Sequence, residues 1–213
     1  MEDFYRLSNN TSHFPRYAWA GTVIREGWEN EPSCDICGQG PEEVPRSLDV
    51  VITKGSKYPD IIGCGAFPYL IVSGRTVLTW RAHGIGGFDI YPVTIVEVRP
   101  KRLQSEKPPE YFRVELRGSC RVDVEASGFV AEAVCDRHHC VRVKQVVLWP
   151  AMQLVPGSWD GSELFRDPIH FPRVTFCTRR LADICLASGL KNFRFDRLGK
   201  EIDHGGKGDL YSG

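Results

Sequence analysis

Two groups of cysteine and histidine residues are the part of this chain best suited to chemistry. Residues 34–38 read Cys-Asp-Ile-Cys-Gly, and residues 135–140, far downstream, read Cys-Asp-Arg-His-His-Cys. A Cys-x-x-Cys pair followed by glycine turns two thiolates toward one point, because glycine accepts the left-handed backbone that such a turn needs. One such knuckle supplies only half of a tetrahedral zinc site. We therefore predict a structural zinc site that joins the two groups.

The predicted ligands are Cys34, Cys37, Cys135 and either His138 or Cys140. His138 keeps the spacing of a knuckle, whereas Cys140 keeps an all-sulfur site, and both choices remain open, with His139 as a third candidate. Two unrelated cysteine groups or a redox pair are the alternatives. A redox Cys-x-x-Cys normally follows a strand and opens a helix. Here Pro32 precedes the first pair, and Gly38, Gly40 and Pro41 follow it, which favours a loop.

The composition limits the classes of protein to which this chain can belong. The chain has 213 residues, 27 of them basic and 27 acidic, so its formal net charge is zero. This balance disfavours nucleic acid as the main partner, because proteins that bind the phosphate backbone are usually basic. The sequence contains no run of 18 apolar residues, so we predict no membrane span. The N-terminus does not resemble a secretory signal. We expect a cytoplasmic protein, in which cysteines bind metal or are buried as thiols. The residues expected to be single buried thiols are Cys64, Cys120, Cys177 and Cys185.

The elements that would position these groups include two similar segments, residues 67–98 and 171–198. Each predicts a strand, a helix and a second strand. After a one-residue shift, the segments match at Ser73/Thr178, Arg75/Arg180, Gly84/Gly189, Ile85/Leu190 and Phe88/Phe193.

Local signals set the helix limits at 73–83 and 178–188. Ser73 and Thr178 can cap helix starts, and the matched glycines can end the helices in the left-handed conformation. Val77 and Leu78 are expected on the buried face of the first helix. In the second helix that face is predicted to hold Leu181, Ile184, Cys185 and Leu186.

These patterns predict an α+β fold with a mostly antiparallel sheet, two repeated strand–helix–strand units and a zinc knuckle loop. Residues 1–204 are expected to form a single domain, and residues 205–213 a disordered tail. Further strands are predicted at 93–99, 111–116, 120–126 and 141–148, with polar loops at 30–46 and 101–110.

The order of these motifs resembles a known family. A Phe4-Tyr-Arg-Leu start, the first knuckle, the strand–helix–Gly–strand units and the closing 159–166 segment, Trp-Asp-Gly-Ser-Glu-Leu-Phe-Arg, are similar to the double-CxxCG immunity proteins of bacterial polymorphic toxin systems, best known from myxobacteria. The second cysteine group departs from the Cys-x-x-Cys-Gly pattern. The resemblance implies a small cytoplasmic antitoxin that binds and neutralises one cognate toxin.

No motif predicts an enzyme. The chain contains no His-Glu-x-x-His motif or phosphate-binding glycine loop. Glu132, close to Cys135, is the one candidate base for a hydrolytic zinc, which would need an open coordination position. Asp160, Glu163 and Arg166 are expected to tie the last unit together. The alternative to a toxin-binding immunity protein is a zinc-stabilised regulatory or nucleic-acid-binding module.

Overall fold

The computed structural model of the chain describes residues 2–9, 16–24, 47–64, 70–135, 140–144 and 152–199, with the backbone alone at 22–24, 131–135, 140–144 and 173. In chain order the elements are β1 (Phe4–Asn9), β2 (Trp19–Ile24), β3 (Leu48–Lys54), β4 (Ile61–Cys64), β5 (Leu70–Ser73), α1 (Gly74–Ala82), β6 (Phe88–Val98), α2 (Lys101–Gln104), β7 (Tyr111–Leu116), β8 (Gly118–Ser119), β9 (Val130–Cys135), β10 (Cys140–Lys144), β11 (Leu164–Asp167), β12 (Phe171–Thr178), α3 (Arg179–Ala187) and β13 (Phe193–Arg197).

The strands form three groups. A closed barrel has the order β2-β3-β6-β7-β5-β4, a five-stranded sheet has the order β13-β1-β12-β11-β8, and β9 pairs with β10 alone. In the described part of the chain the parallel pairings are β2 with β4, β3 with β6, and β8 with β11; the rest are antiparallel. The fold is therefore mixed α and β and mostly antiparallel, as predicted, whereas the barrel was not anticipated.

Helices α1 and α3 begin and end through the same local chemistry. The Ser73 hydroxyl accepts a hydrogen bond from the amide of Thr76, and the Thr178 hydroxyl accepts one from the amide of Leu181. Each helix is followed by a glycine with positive φ, +72° at Gly84 and +61° at Gly189. A side chain is strained in this conformation, so glycine is the usual residue there. The predicted helix limits are confirmed to within a residue.

The two helices share one hydrophobic core. This core takes residues from β1, β4, β5, β7, β11, β12 and β13 as well as from both helices. A second core fills the barrel, and a third lies on the other face of the five-stranded sheet. Burial of apolar side chains on both faces of that sheet holds the strands between two layers.

Strands β1 and β7 occupy matching places. β7 lies between β5 and β6, and β1 lies between β12 and β13. Tyr111 of β7 pairs with the cap residue Ser73, and Phe4 of β1 pairs with the cap residue Thr178. The registers agree along the strands, with Val114 opposite Ile90 and Leu7 opposite Phe195.

Two predictions about the middle of the chain are wrong. The 101–110 segment is not only a loop, because it begins with the short helix α2, whose Leu103 is fully buried. Residues 120–126 do not form a strand. Asp123 ends the extended backbone there, because its side chain accepts from the amide of Ala126 and its carbonyl accepts from Ser127. An aspartate that bonds to nearby amides in this way favours a turn over a strand.

The buried face of α1 also differs from the prediction. Val77 is buried, but Leu78 is 69% exposed, and Thr76 and Trp80 take the inner positions. Once Ser73 sets the helix start, Val77 and Trp80 lie three residues apart on one face, and Leu78 projects away from it. In α3 the inner positions are Leu181, Ala182 and Cys185; the predicted Ile184 and Leu186 are only partly buried.

The predicted tail at 205–213 and the loop at 30–46 lie outside the described residues. Among the helices that the structure describes, none combines the length and apolar character that a membrane crossing requires.

Candidate functional site

The second cysteine group lies at the end of a β-hairpin. Strands β9 and β10 run antiparallel, and Cys135 is in direct register with Cys140. Cα atoms of paired residues in antiparallel strands are about 4.5–5.5 Å apart. This separation allows both residues to bind a single ion. His138 lies outside the described residues, in the connection between the two strands.

The first cysteine group, Cys34 and Cys37, also lies outside the described residues, so the proposed zinc site stays a prediction. Within the ranges that the structure covers with side chains, no three His, Cys, Asp or Glu residues converge as metal ligands would. The predicted ligands are not among those side chains.

Three of the four remaining cysteines are buried thiols, as predicted. Cys120, Cys177 and Cys185 are at most 2% exposed, whereas Cys64 is partly buried. Burial raises the pKa of Cys120 to about 12. Burial also raises the pKa of Cys185 to about 12, although the Trp80 indole N–H, 3.3 Å from its sulfur, opposes this shift. Thiols held in the neutral form are poor nucleophiles.

A polar network built on Asp60 fixes the start of α1. Its carboxylate accepts hydrogen bonds from the Ser73 hydroxyl at 2.8 Å, the Arg75 guanidinium at 3.0 Å and the backbone N–H of Lys191 at 2.8 Å. Arg75 donates its other terminal N–H to the carbonyl of Ser188, the C-cap residue of α3, at 2.6 Å. Asp60 thus links the start of one helix to the end of the other.

A second network, built on Glu163, does the same for α3. Its carboxylate accepts from the Thr178 hydroxyl and, at 2.6 Å, from the guanidinium of Arg180. Arg180 donates to the carbonyl of His83, the C-cap residue of α1, at 2.6 Å. The helices therefore run antiparallel, and each arginine neutralises part of the negative end of the other helix dipole.

The contact between the helices lies between these two networks. The indole N–H of Trp80 points at the sulfur of Cys185, and the Trp80 ring meets Phe88 and Phe193 edge-on, with centroids 5.6 and 6.3 Å away. A tryptophan that is buried with its N–H bonded gains both packing and polar contact. This contact packs the two helices against each other.

Asp160 and Arg166 are also held in place by neighbouring groups. Burial opposes the charged form of Asp160, but N–H and hydroxyl groups of Ser162 and Ser119 donate to its carboxylate, and its pKa is lowered on balance. Arg166 donates to Glu115 of β7 at 3.3 Å. The expectation that Asp160, Glu163 and Arg166 tie the last segment together agrees with these contacts.

An open groove lies on the face of the five-stranded sheet that is opposite the helices. It has a volume of about 1000 Å³. The groove floor is apolar and comprises Phe4, Met152, Leu154, Val155, Trp159 and Leu198. The groove rim carries Glu2, Asp3 and Arg197.

Sequence reasoning missed Asp60, Trp80 and the groove. One signal could have revealed Asp60: it stands directly before the apolar pair Ile-Ile, as Glu163 stands before Leu-Phe, and each acid precedes a capped helix by a similar distance. The groove had no such signal, because its lining comes from both ends of the chain.

No model of a known protein family matches this sequence, and no curated protein matches it.

Proposed function

We propose that this chain is a non-enzymatic immunity protein that binds one cognate toxin domain in the cytoplasm and neutralises it. The observation that carries this proposal is that acidic side chains which could otherwise serve in catalysis are engaged in structural hydrogen bonds. Asp60 and Glu163 accept hydrogen bonds from helix caps and arginines, and Asp160 accepts them from neighbouring amides. These carboxylates stabilise the scaffold, which favours a role in binding over acid–base chemistry.

We further propose that the fold arose from two copies of one unit. In each copy a first strand (β1 or β7) is followed by a cysteine group, a hairpin (β4–β5 or β11–β12), a helix and a last strand. The first strands are exchanged, so that β7 pairs inside the first unit and β1 inside the second. The matching arginine bonds to Ser188 and His83 support this proposal, because each arginine reaches the equivalent carbonyl of the other unit.

Duplication gives the two cysteine groups equivalent places in their units. A zinc ion bound by Cys34, Cys37, Cys135 and either His138 or Cys140 would then join the units by their equivalent segments. Closing so long a loop through a metal removes conformational freedom from the unfolded chain and would stabilise the fold. The register of Cys135 with Cys140 supports ligation at this hairpin.

Co-expression tests the function. The chain should rescue cells that express the toxin domain encoded beside it, and it should co-purify with that domain as a stoichiometric complex. Rescue should not extend to unrelated toxins, since specificity requires repulsion of wrong partners as well as attraction to the right one. Survival without complex formation would contradict the proposal, and salt-sensitive retention on DNA or RNA would favour the regulatory or nucleic-acid-binding alternative.

A further inference from the structure

The molecule contains two versions of one position, at the first residues of β7 and β1. Tyr111 pairs with Ser73 and Phe4 pairs with Thr178, so both aromatic residues lie opposite a helix cap. Each packs on the sheet face that is turned away from the helices. The neighbours correspond as well: Tyr111 joins Ile62 and Ile71 in its cluster, whereas Phe4 joins Phe165 and Phe176.

The first version is covered. Tyr111 is 2% exposed and belongs to the same buried cluster as Leu103 of α2, which is fully buried. The Tyr58 hydroxyl holds α2 there through the carbonyl of Leu103, at 3.5 Å. The neighbouring Lys101 and Arg102 stay exposed. A basic helical turn therefore buries one leucine in the cluster that contains Tyr111.

The second version is open in the part of the chain that the structure describes. Phe4 is half-buried, with its ring 5.0 Å from Trp159 and 5.5 Å from Phe165, and it lines the groove described above. Within the described ranges no helical turn covers it as α2 covers Tyr111. Val155 in the groove floor is 39% exposed. A volume of about 1000 Å³ lies at the upper end of the range for small-molecule pockets, about 300–1,000 Å³, and suits a turn of peptide.

The rim of the groove indicates the charge of its occupant. Asp3 is paired with Arg197 at 2.5 Å and with Arg179 at 3.6 Å. Glu2 beside it is exposed. Glu2 on this rim would complement a basic side chain of the occupant. In the covered version, the basic residues Lys101 and Arg102 likewise stand next to the buried Leu103.

We propose that this groove binds a short turn of the toxin that presents a leucine or aromatic side chain next to a lysine or arginine. The inference rests on the proposed immunity function and names part of its contact surface. The apolar side chain would pack on Phe4 and Trp159, and the basic side chain would lie at Glu2. Buried apolar anchors of this kind dominate the affinity of protein interfaces.

The test compares matched variants in titrations with the purified toxin domain encoded beside this chain. Val155→Glu places a charge in the groove, and Leu78→Glu places the same charge on the outer face of α1, where Leu78 is 69% exposed. We expect Val155→Glu to raise the Kd about tenfold or more and Leu78→Glu to leave it unchanged. Glu2→Lys should weaken binding by a smaller factor that shrinks as salt increases.

Three outcomes are informative. If the unaltered chain does not bind the toxin domain, the proposed function fails. If the unaltered chain binds and Val155→Glu binds equally well, the function stands and the groove proposal is overturned. A chain that lacks residues 200–213 separates a third case. If that chain binds the toxin as weakly as Val155→Glu does, and Val155→Glu has no further effect in it, the groove holds this chain's own C-terminal segment, and the proposal is again overturned.

Discussion

Replacing Asp60 by alanine should destabilise the protein strongly, although Asp60 lies in none of the hydrophobic cores. The residue is 7% exposed and accepts from the Ser73 hydroxyl and the Lys191 amide, both at 2.8 Å. Asp60→Ala leaves both donors without this acceptor, and an unsatisfied buried donor costs about 1–3 kcal/mol. The ion pair with Arg75 adds little, because the Arg75 side chain is 55% exposed. We therefore expect a loss of about 3 kcal/mol in the free energy of unfolding.

Urea unfolding at pH 7, followed by far-ultraviolet circular dichroism, measures this loss. The matched control is Asp89→Ala, which removes an aspartate from an exposed ion pair with Arg117 and should change the unfolding midpoint little. Asp60→Asn keeps one acceptor oxygen and should fall between the two. If Asp60→Ala costs no more than Asp89→Ala, the reasoning that Asp60 joins the two helices is refuted.

Three further predictions concern packing, pH and metal. Leu103→Ala should cost about 2–5 kcal/mol of unfolding free energy because Leu103 is fully buried, whereas Leu78→Ala should stay within about 0.5 kcal/mol; equal costs would contradict the role given to α2. Burial raises the pKa of the Cys185 thiol from 9.0 to about 12, so its contribution to the free energy of unfolding is complete below pH 9 and is lost as pH rises toward 12. In Cys185→Ala the free energy of unfolding should therefore fall less steeply as pH rises through that window, and an unchanged slope would oppose this. The purified chain should hold about one zinc, measured by mass spectrometry, and chelation or Cys34→Ser should lower its Tm; a zinc-free chain of equal Tm would exclude the site.

The elements that the sequence predicts well are those whose signals are local. Ser73 and Thr178 act through amides three residues away, and Gly84 and Gly189 act through their own backbone, so the helix ends follow from short stretches. The strand at Tyr111–Leu116 likewise follows from its own β-rich residues.

The features that the sequence does not predict depend on pairing between distant segments. The closed barrel requires the parallel pairing of β3 with β6, and no local sequence pattern predicts that pairing. The sequence of helix α2 predicts a loop because three of its four residues are polar, and the burial of Leu103 comes from residues of distant barrel strands. The candidate groove requires β1 to lie beside β13, although they come from opposite ends of the chain.

Neutralisation by direct binding can be tested by titrating the toxin domain encoded beside this chain with the purified chain. Toxin activity and the mass of the complex are measured at each step. We expect a sharp 1:1 end point at which toxin activity disappears and a single complex forms. Toxin activity that persists when the chain is in excess would contradict the claim that this protein protects by direct binding.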